Sequence, residues 1–429
     1  MSSTKKALVF DLLTSRRFAP MFFTQFLGAF NDNLFKSALV TLITYGMITS
    51  FGIPSGVLVT IVAGLFILPF FLFSSLAGDI SDKFEKSFIV KMTKVTELVL
   101  MILTAGCFIK LNIPILVVLL FFMGAQSTFF GPLKYSVIPE LLTEDELITG
   151  NALVNASTNV AILLGTICGG LLIMTPHGRA LVSSGIVIVA ALGLFASCFV
   201  PHIASSSPDL TIRRNIFSGT IKMLKFPFTL PKISTIILSI SWLWCIGSVF
   251  LAQFVTFAKE FACANNQVST FFLVLFSVGV ACGSFCCNKI LKGRISAKLA
   301  KPSLIGMTIC SILLYIVSSF FKANTNTTEL CGLAEFLTHG RSIVVCILLF
   351  AISLFDGMYG VPLYALLQNK MPRSHGARVI ASLNVTDSLG MVLTAVISTA
   401  LLAIGVSVPG LFLIFGLLNL PIMLLVRKL

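Results

Sequence analysis

Charge is scarce in this chain. Asp, Glu, Lys and Arg make up 11% of the residues, against about a quarter in ordinary soluble domains. With 57% hydrophobic residues and a mean hydropathy of +1.02, a soluble globular domain is excluded. Histidine is scarcer still, with four in 429 residues. Acyl transfer to a glycerolipid uses a His and an acid five residues apart as base and orienter. Here the residues five on from His177, His202, His339 and His375 are Val182, Ser207, Val344 and Ile380. No Cys/His cluster with metal-ligand spacing and no phosphate-cradling glycine loop occurs either. The chain therefore reads as a non-enzyme without cofactor or metal. Eleven cysteines are present, but most, such as Cys107, Cys168, Cys282 and Cys310, sit in apolar runs and behave as small hydrophobes. Only Cys263 and Cys331 approach loops on one side, and no disulfide framework is visible.

Long apolar runs fill the chain, each able to cross about 30 Å of hydrocarbon as a helix. They are continuous rather than alternating, which implies helices and not a barrel. The runs lie near 18–45, 54–77, 88–109, 113–131, 147–174 and 180–200, then near 233–258, 268–288, 303–321, 342–362, 379–403 and 408–426. The expected fold is all-α integral membrane, with twelve transmembrane helices in two sets of six. Residues 1–200 form one bundle, 201–232 a cytoplasmic linker and 233–429 a second bundle. Within the linker, Ile212 to Leu224 mixes basic and apolar residues, as a surface-lying amphipathic helix or a disordered connection would. The halves echo each other: Gly131-Pro132-Leu133 ends the fourth run and Gly360-Val361-Pro362-Leu363 the tenth. Asn155 and Asn384 follow in the next runs, where a parallel repeat would place them.

Basic residues set the orientation. Of the 30 Lys and Arg, 23 fall on the side of the two termini and five on the other. Both termini are therefore expected to be cytoplasmic, in a multi-pass protein whose first run is an uncleaved anchor. The net charge of +14 then reflects topology and contact with anionic membrane lipid, not nucleic acid.

Polar residues inside the runs are the candidate site, because each costs free energy in hydrocarbon unless the protein uses it. Asn31-Asp32-Asn33 interrupts the first run, with Lys36 one turn on offering an opposite charge. Such an acid and base suit a pathway for a charged or zwitterionic molecule, or else an ion pair that locks helices together. Asn151, Asn155 and Asn159 form a stripe in the fifth run, facing either a cavity or another helix. Lys94 and Glu97, three apart, read as a structural pair. Asp356 in the tenth run and Asp387 in the eleventh are the remaining charges; Asp387 lies about ten residues into its run and has no cation near it in sequence. Lys134 stands at the inner mouth of the fourth run, placed to snorkel or to hold a phosphate.

The loop Gly78-Asp79-Ile80-Ser81-Asp82-Lys83-Phe84-Glu85-Lys86 resembles the G-x-x-x-D-[RK]-x-x-[RK] motif of the major facilitator superfamily, between spans two and three as there. Gly78 permits close helix contact, and Asp82 can pair with a cation or a helix N-terminus. Gly78, Asp82, Lys83 and Lys86 are thus expected to form a latch for one access state; Glu85 replaces the usual glycine. Three segments resemble the bacterial lysophospholipid transporters of that superfamily more closely. They are Phe23-Thr24-Gln25-Phe26-Leu27-Gly28-Ala29-Phe30-Asn31-Asp32-Asn33, Gly131-Pro132-Leu133-Lys134-Tyr135 with Gly150-Asn151-Ala152-Leu153 following, and Val361-Pro362-Leu363-Tyr364-Ala365-Leu366-Leu367-Gln368 with Asn384 and Asp387 following. The resemblance implies an inner-membrane flippase that moves lysophospholipid to the inner leaflet for re-acylation by a cytoplasmic acyltransferase/acyl-carrier-protein synthetase; the chain is expected to be a monomer. The resemblance also implies that Asp32, Lys134 and Asp387 bear on substrate handling or gating. The rival reading is a facilitator for another amphiphile or organic solute, such as a drug or a siderophore; a proton-coupled exporter of that kind would use Asp32 or Asp387 as a titrating carboxylate.

Overall fold

The computed structural model describes residues 9–45, 55–212, 219, 221–222, 225, 229, 231–260, 264–321, 331–427 and 429. Twelve long helices run through them: α1 Ala19–Tyr45, α2 Ser55–Lys83, α3 Lys86–Ile109, α4 Ile113–Ser136, α5 Leu147–Ile173 and α6 Gly178–Ser197, then α7 Pro231–Glu260, α8 Asn266–Leu291, α9 Ala300–Phe321, α10 Gly340–Lys370, α11 Gly376–Ala403 and α12 Val408–Val426. By length and hydropathy, eleven of the twelve can cross a membrane. The exception is α1, where Asn31, Asp32, Asn33 and Lys36 dilute the apolar background. The two prolines that end apolar runs in the sequence do not end the helices. Pro132 lies inside α4 and Pro362 inside α10, which runs on to Lys370. In α12 the helix is broken at Leu418, between Val408–Leu417 and Asn419–Val426. Pro421, without an N–H, cannot complete the hydrogen bond to the preceding turn.

The helices are inverted relative to those of a soluble protein. On α3, Lys86, Val90, Thr93, Lys94, Glu97, Met101, Thr104 and Phe108 are buried at helical spacing. The opposite face exposes Phe88 at 52% and Ile102 at 54%. A polar stripe inward and an apolar one outward is stable only when the surrounding medium is hydrocarbon.

The chain forms two compact units. The first comprises Met1–Gly150, Val160–Leu230 and Gln368–Ser388; the second comprises Asn151–Asn159, Pro231–Leu367 and Leu389–Leu429. In the first, α2 packs on α4, and α3 on α4 and α6. Close approach of α5 to α1 depends on Gly165 and Gly169, where a Cβ would strike the backbone carbonyls of Phe30 and Leu34. Residues 201–210 pack back on this unit: Lys86 N donates to Ile203 O (3.0 Å) and Ser207 N to Asp82 O (2.8 Å). Of the expected Ile212–Leu224 helix, 213–218, 220, 223 and 224 lie outside the described residues, as does Cys263 of the Cys263/Cys331 pair.

The second unit is built round phenylalanine. The Phe250 and Phe412 rings stack at 4.2 Å, and Phe254, Phe257, Phe272, Phe276 and Phe336 continue the cluster. Trp242 Nε1 donates to Asn419 Oδ1 at 2.7 Å, tying α7 to the broken turn of α12.

Candidate functional site

Three consecutive residues on an α-helix point about 100° apart, so Asn31, Asp32 and Asn33 cannot share a face. Asn31 turns to α3, where its amide donates to Glu97 Oε1 at 3.0 Å. Asp32 turns to α4, accepting from Ser127 Oγ at 2.7 Å. Asn33 donates back to Ala29 O in its own helix at 2.8 Å.

Behind the triplet lies a sealed polar cluster. Lys94 Nζ meets Glu97 Oε2 at 2.6 Å, and both side chains are 1% exposed. Gln126 Nε2 bridges Thr93 O (3.2 Å) and Glu97 Oε2 (3.4 Å). The Lys94 ammonium also stands 5.0 Å from the Phe130 ring centroid and against Gly28 of α1, where any Cβ would collide with it. Glu97 therefore receives three donors from three helices. The Lys94–Glu97 pair is structural in the sense the spacing suggests, and it ties α1, α3 and α4 together. Ser127 connects this cluster to Asp32: its hydroxyl lies 2.7 Å from Asp32 and 3.2 Å from Gln126 Oε1. One hydroxyl has one proton, and the nearer carboxylate is the stronger acceptor.

Asp32, Lys36 and Lys134 differ from that cluster in remaining partly open. Among the described residues, Lys36 stands over Phe66 at 5.3 Å rather than closing an ion pair with Asp32. Lys134 lies over Tyr135 at 5.1 Å. Both ammonium groups are within electrostatic reach of the Asp32 carboxylate. Asp387 is buried on α11. Nearby in sequence, the buried Asn384 Nδ2 has no hydrogen-bond partner among the described residues and lies against Gly131, where a Cβ would approach it to 2.7 Å.

The Asn stripe of α5 belongs to the second unit. Asn155 Nδ2 donates to Ser284 Oγ of α8 at 2.9 Å, and Asn159 donates to the Asn155 carbonyl at 2.9 Å. Asn155 thus serves as a helix–helix bond.

At the basic end of the first unit, Asp82 meets both kinds of partner its position suggests. Its oxygens accept from Ala377 N (3.0 Å), Arg378 N (3.2 Å) and Arg378 Nε (3.1 Å) at the first turn of α11. Gly78 makes this docking sterically feasible, because a Cβ there would lie 2.7 Å from Ala381 Cβ. Lys86, 1% exposed, pairs with Glu140 at 3.5 Å, while Lys83 stands over Phe84. Arg378 is a partner that sequence reasoning missed; its place in the first turn of α11, beside free N–H groups, was the signal available. Ser127 and Gln126 were missed as well, although they are polar residues inside the fourth apolar run.

The family model described as the Major Facilitator Superfamily matches residues 21–328. The chain belongs to the Major Facilitator Superfamily. This facilitator-superfamily protein is 24% identical over 392 residues to the protein of Cronobacter sakazakii named Lysophospholipid transporter LplT, covering 89% of this chain and 87% of that one. The protein of the same name from Salmonella typhimurium is 26% identical over 388 residues, with the same coverage. Among solved structures, the transporter FucP in the outward conformation aligns with a TM-score of 0.70 at 13% identity, covering 96% of this chain and 97% of that one. The human organic anion transporter MFSD10 aligns at 0.68 and 15% identity, covering 95% and 99%. At such identities these likenesses concern the fold alone. The chain is thus a multi-pass membrane transporter, with helices where the apolar runs place them.

Proposed function

We propose that this transporter moves lysophospholipids from the outer to the inner leaflet of the bacterial inner membrane by alternating access, for re-acylation on the cytoplasmic side. One observation carries the reading. Lys94 and Glu97 are sealed and satisfied, whereas Asp32, Lys36 and Lys134 are partly open and lie within electrostatic reach without Asp32 and Lys36 pairing. A carboxylate flanked by two ammonium groups complements a zwitterionic head group: phosphate to the lysines, ammonium to Asp32. The names of the relatives support the same substrate class. An acyl chain needs no polar partners and can remain against apolar surface, which suits a protein with 39 phenylalanines.

In this reading Asp82, held by Arg378 and the first turn of α11, is the latch of one access state, and Gly78 lets the helices meet. Lys86 steadies the same end through Glu140. Asp387 and Asn384 lie on the helix whose first turn holds the latch. The 23-to-5 distribution of basic residues supports cytoplasmic termini. Product would then emerge where a cytoplasmic acyltransferase/acyl-carrier-protein synthetase can reach it.

Uptake of labelled lysophosphatidylethanolamine into spheroplasts tests the substrate, comparing cells with and without the protein. Saturable, protein-dependent uptake is expected. Transport of a water-soluble solute with no lysolipid uptake would replace the substrate while leaving the transporter in place. A reporter fused after Leu429 should be active only as a cytoplasmic fusion.

A further inference from the structure

A groove on the apolar flank of the first unit takes no part in the site described above. It lies between α2, α3 and α4 and has a volume of about 350 Å³, within the range of ligand pockets. Its floor includes the buried Thr93 and Gln126, while Met92 and Phe122 on its rims are 43% and 50% exposed. Short side chains at Thr96 and Ala125 leave it open between the longer Met92, Phe122 and Phe129. The donors that line it are already spent. Gln126 Nε2 serves Thr93 O and Glu97 Oε2, Thr93 Oγ1 donates to Val90 O at 2.8 Å, and Thr96 Oγ1 to Met92 O at 3.0 Å. A bound water needs two to four polar partners, so the groove suits an apolar occupant.

Its length and its basic end narrow the choice. Ile89 and Leu100 are eleven residues apart on α3, about 16 Å at 1.5 Å per residue. That is close to one leaflet, half of roughly 30 Å of hydrocarbon. The groove starts at the α2–α3 turn, where Ile80 is three residues before the last of α2 and Ile89 three after the first of α3. Lys83 follows Ile80 on the same face of α2. It is partly exposed, with its ammonium 6.0 Å from the Phe84 ring centroid. Three acids near it are held by other groups: Asp82 by Arg378, Glu85 by Ser87 and Glu140 by Lys86. Lys83 is thus placed to meet an anion at the head-group level, as basic residues do at an anionic leaflet.

We propose that this groove binds one acyl chain of a resident anionic phospholipid, whose phosphate pairs with Lys83. The chain covers Gln126 and so keeps water from the Glu97 carboxylate and the Lys94 ammonium behind it. The site is separate from Asp32, Lys36 and Lys134 and does not depend on what those residues carry. It rests on the proposed orientation only in assigning the lipid to the cytoplasmic leaflet.

Photolabelling of the full chain in phosphatidylcholine vesicles tests it, with a trace of phosphatidylglycerol carrying a diazirine on one acyl chain. Label is expected on the α3 and α4 peptides that hold Met92, Thr96 and Phe122. It should fall when unlabelled phosphatidylglycerol is added and persist when lysophosphatidylethanolamine is added. Ala125→Phe fills the groove from α4 and Thr96→Phe from α3. Each should lose the groove label while keeping the weaker label on other helices, and two variants on different helices guard against one failing to fold. Label spread evenly over all lipid-facing helices, or unchanged in both variants, overturns the proposal, since chains at that face are then ordinary bilayer. Equal groove labelling by a phosphatidylcholine with the same diazirine removes the Lys83–phosphate pair and overturns it too. So does displacement by lysophosphatidylethanolamine, which would make the groove a substrate path, or cross-linking of two copies through α3 and α4. Absence of lysolipid uptake with the saturable groove label present would remove the substrate reading and leave the lipid site standing.

Discussion

The two compact units solve the same problem with opposite materials. In lipid, apolar contact between helices gains little over contact with acyl chains, so packing and polar bonds must hold a bundle together. The first unit uses charge: Glu97 collects Lys94, Asn31 and Gln126 from three helices. The second uses rings, with Phe250 stacked on Phe412 and Phe254, Phe257, Phe272 and Phe276 round them. A charged core holds its helices by directional bonds, and Ser127, between Gln126 and Asp32, extends the network to the partly exposed carboxylate. A phenylalanine core offers no such handle. The polar network thus lies in the first unit, while the second is framed by phenylalanine with Asp356 in the middle of one of its helices.

The sharpest way to break this contrast is Glu97→Leu. It leaves Lys94 buried without its partner, a change expected to cost about 3–5 kcal/mol. Thermal stability and folded yield in detergent should fall steeply. A stable, well-folded Glu97→Leu protein would show that the charged cluster does not hold the first unit together. Next is Asp32→Asn, which keeps size and removes charge from the partly open position. Losing one charge-assisted contact of about 1.5–3 kcal/mol should lower lysophospholipid flipping roughly tenfold or more, with folded yield preserved. If flipping is unchanged, the carboxylate is structural and the distinction between sealed and open charges fails. Asp82→Asn weakens a site that accepts three donors. Transport should drop by a smaller factor while membrane expression holds, and full activity would make that loop ordinary charged surface. The smallest effect is expected in the second unit. Asn155→Ala removes one interhelical bond to Ser284, worth about 0.6 kcal/mol in membrane proteins. Its melting point should barely move, and a large drop there would mean that the second unit also depends on polar bonds.

Much was legible beforehand because hydrocarbon is an intolerant solvent. A run of about 20 apolar residues must be a helix there, and a charge inside it needs a use, so spans and site candidates stand out in one dimension. Asp32, Lys94, Glu97 and Asp356 are visible for that reason. Partners across the bundle are not, because they join residues far apart in the chain: Asn31 with Glu97, Ser127 with Asp32, Asp82 with Arg378, Asn155 with Ser284. Lys36, one turn from Asp32, was the obvious partner by spacing, yet it stands over the Phe66 ring. Helical spacing places two groups on one face but does not choose their rotamers or their neighbours.

The amino-acid order by itself thus determined a twelve-helix membrane transporter with few, costly charges inside it, since length and hydropathy are local properties that a bilayer reads directly. Only the tertiary structure decided which of those charges are sealed together and which keep partial exposure. That choice depends on which helices meet, and at small residues such as Gly28, Gly78 and Gly165 on how closely they can.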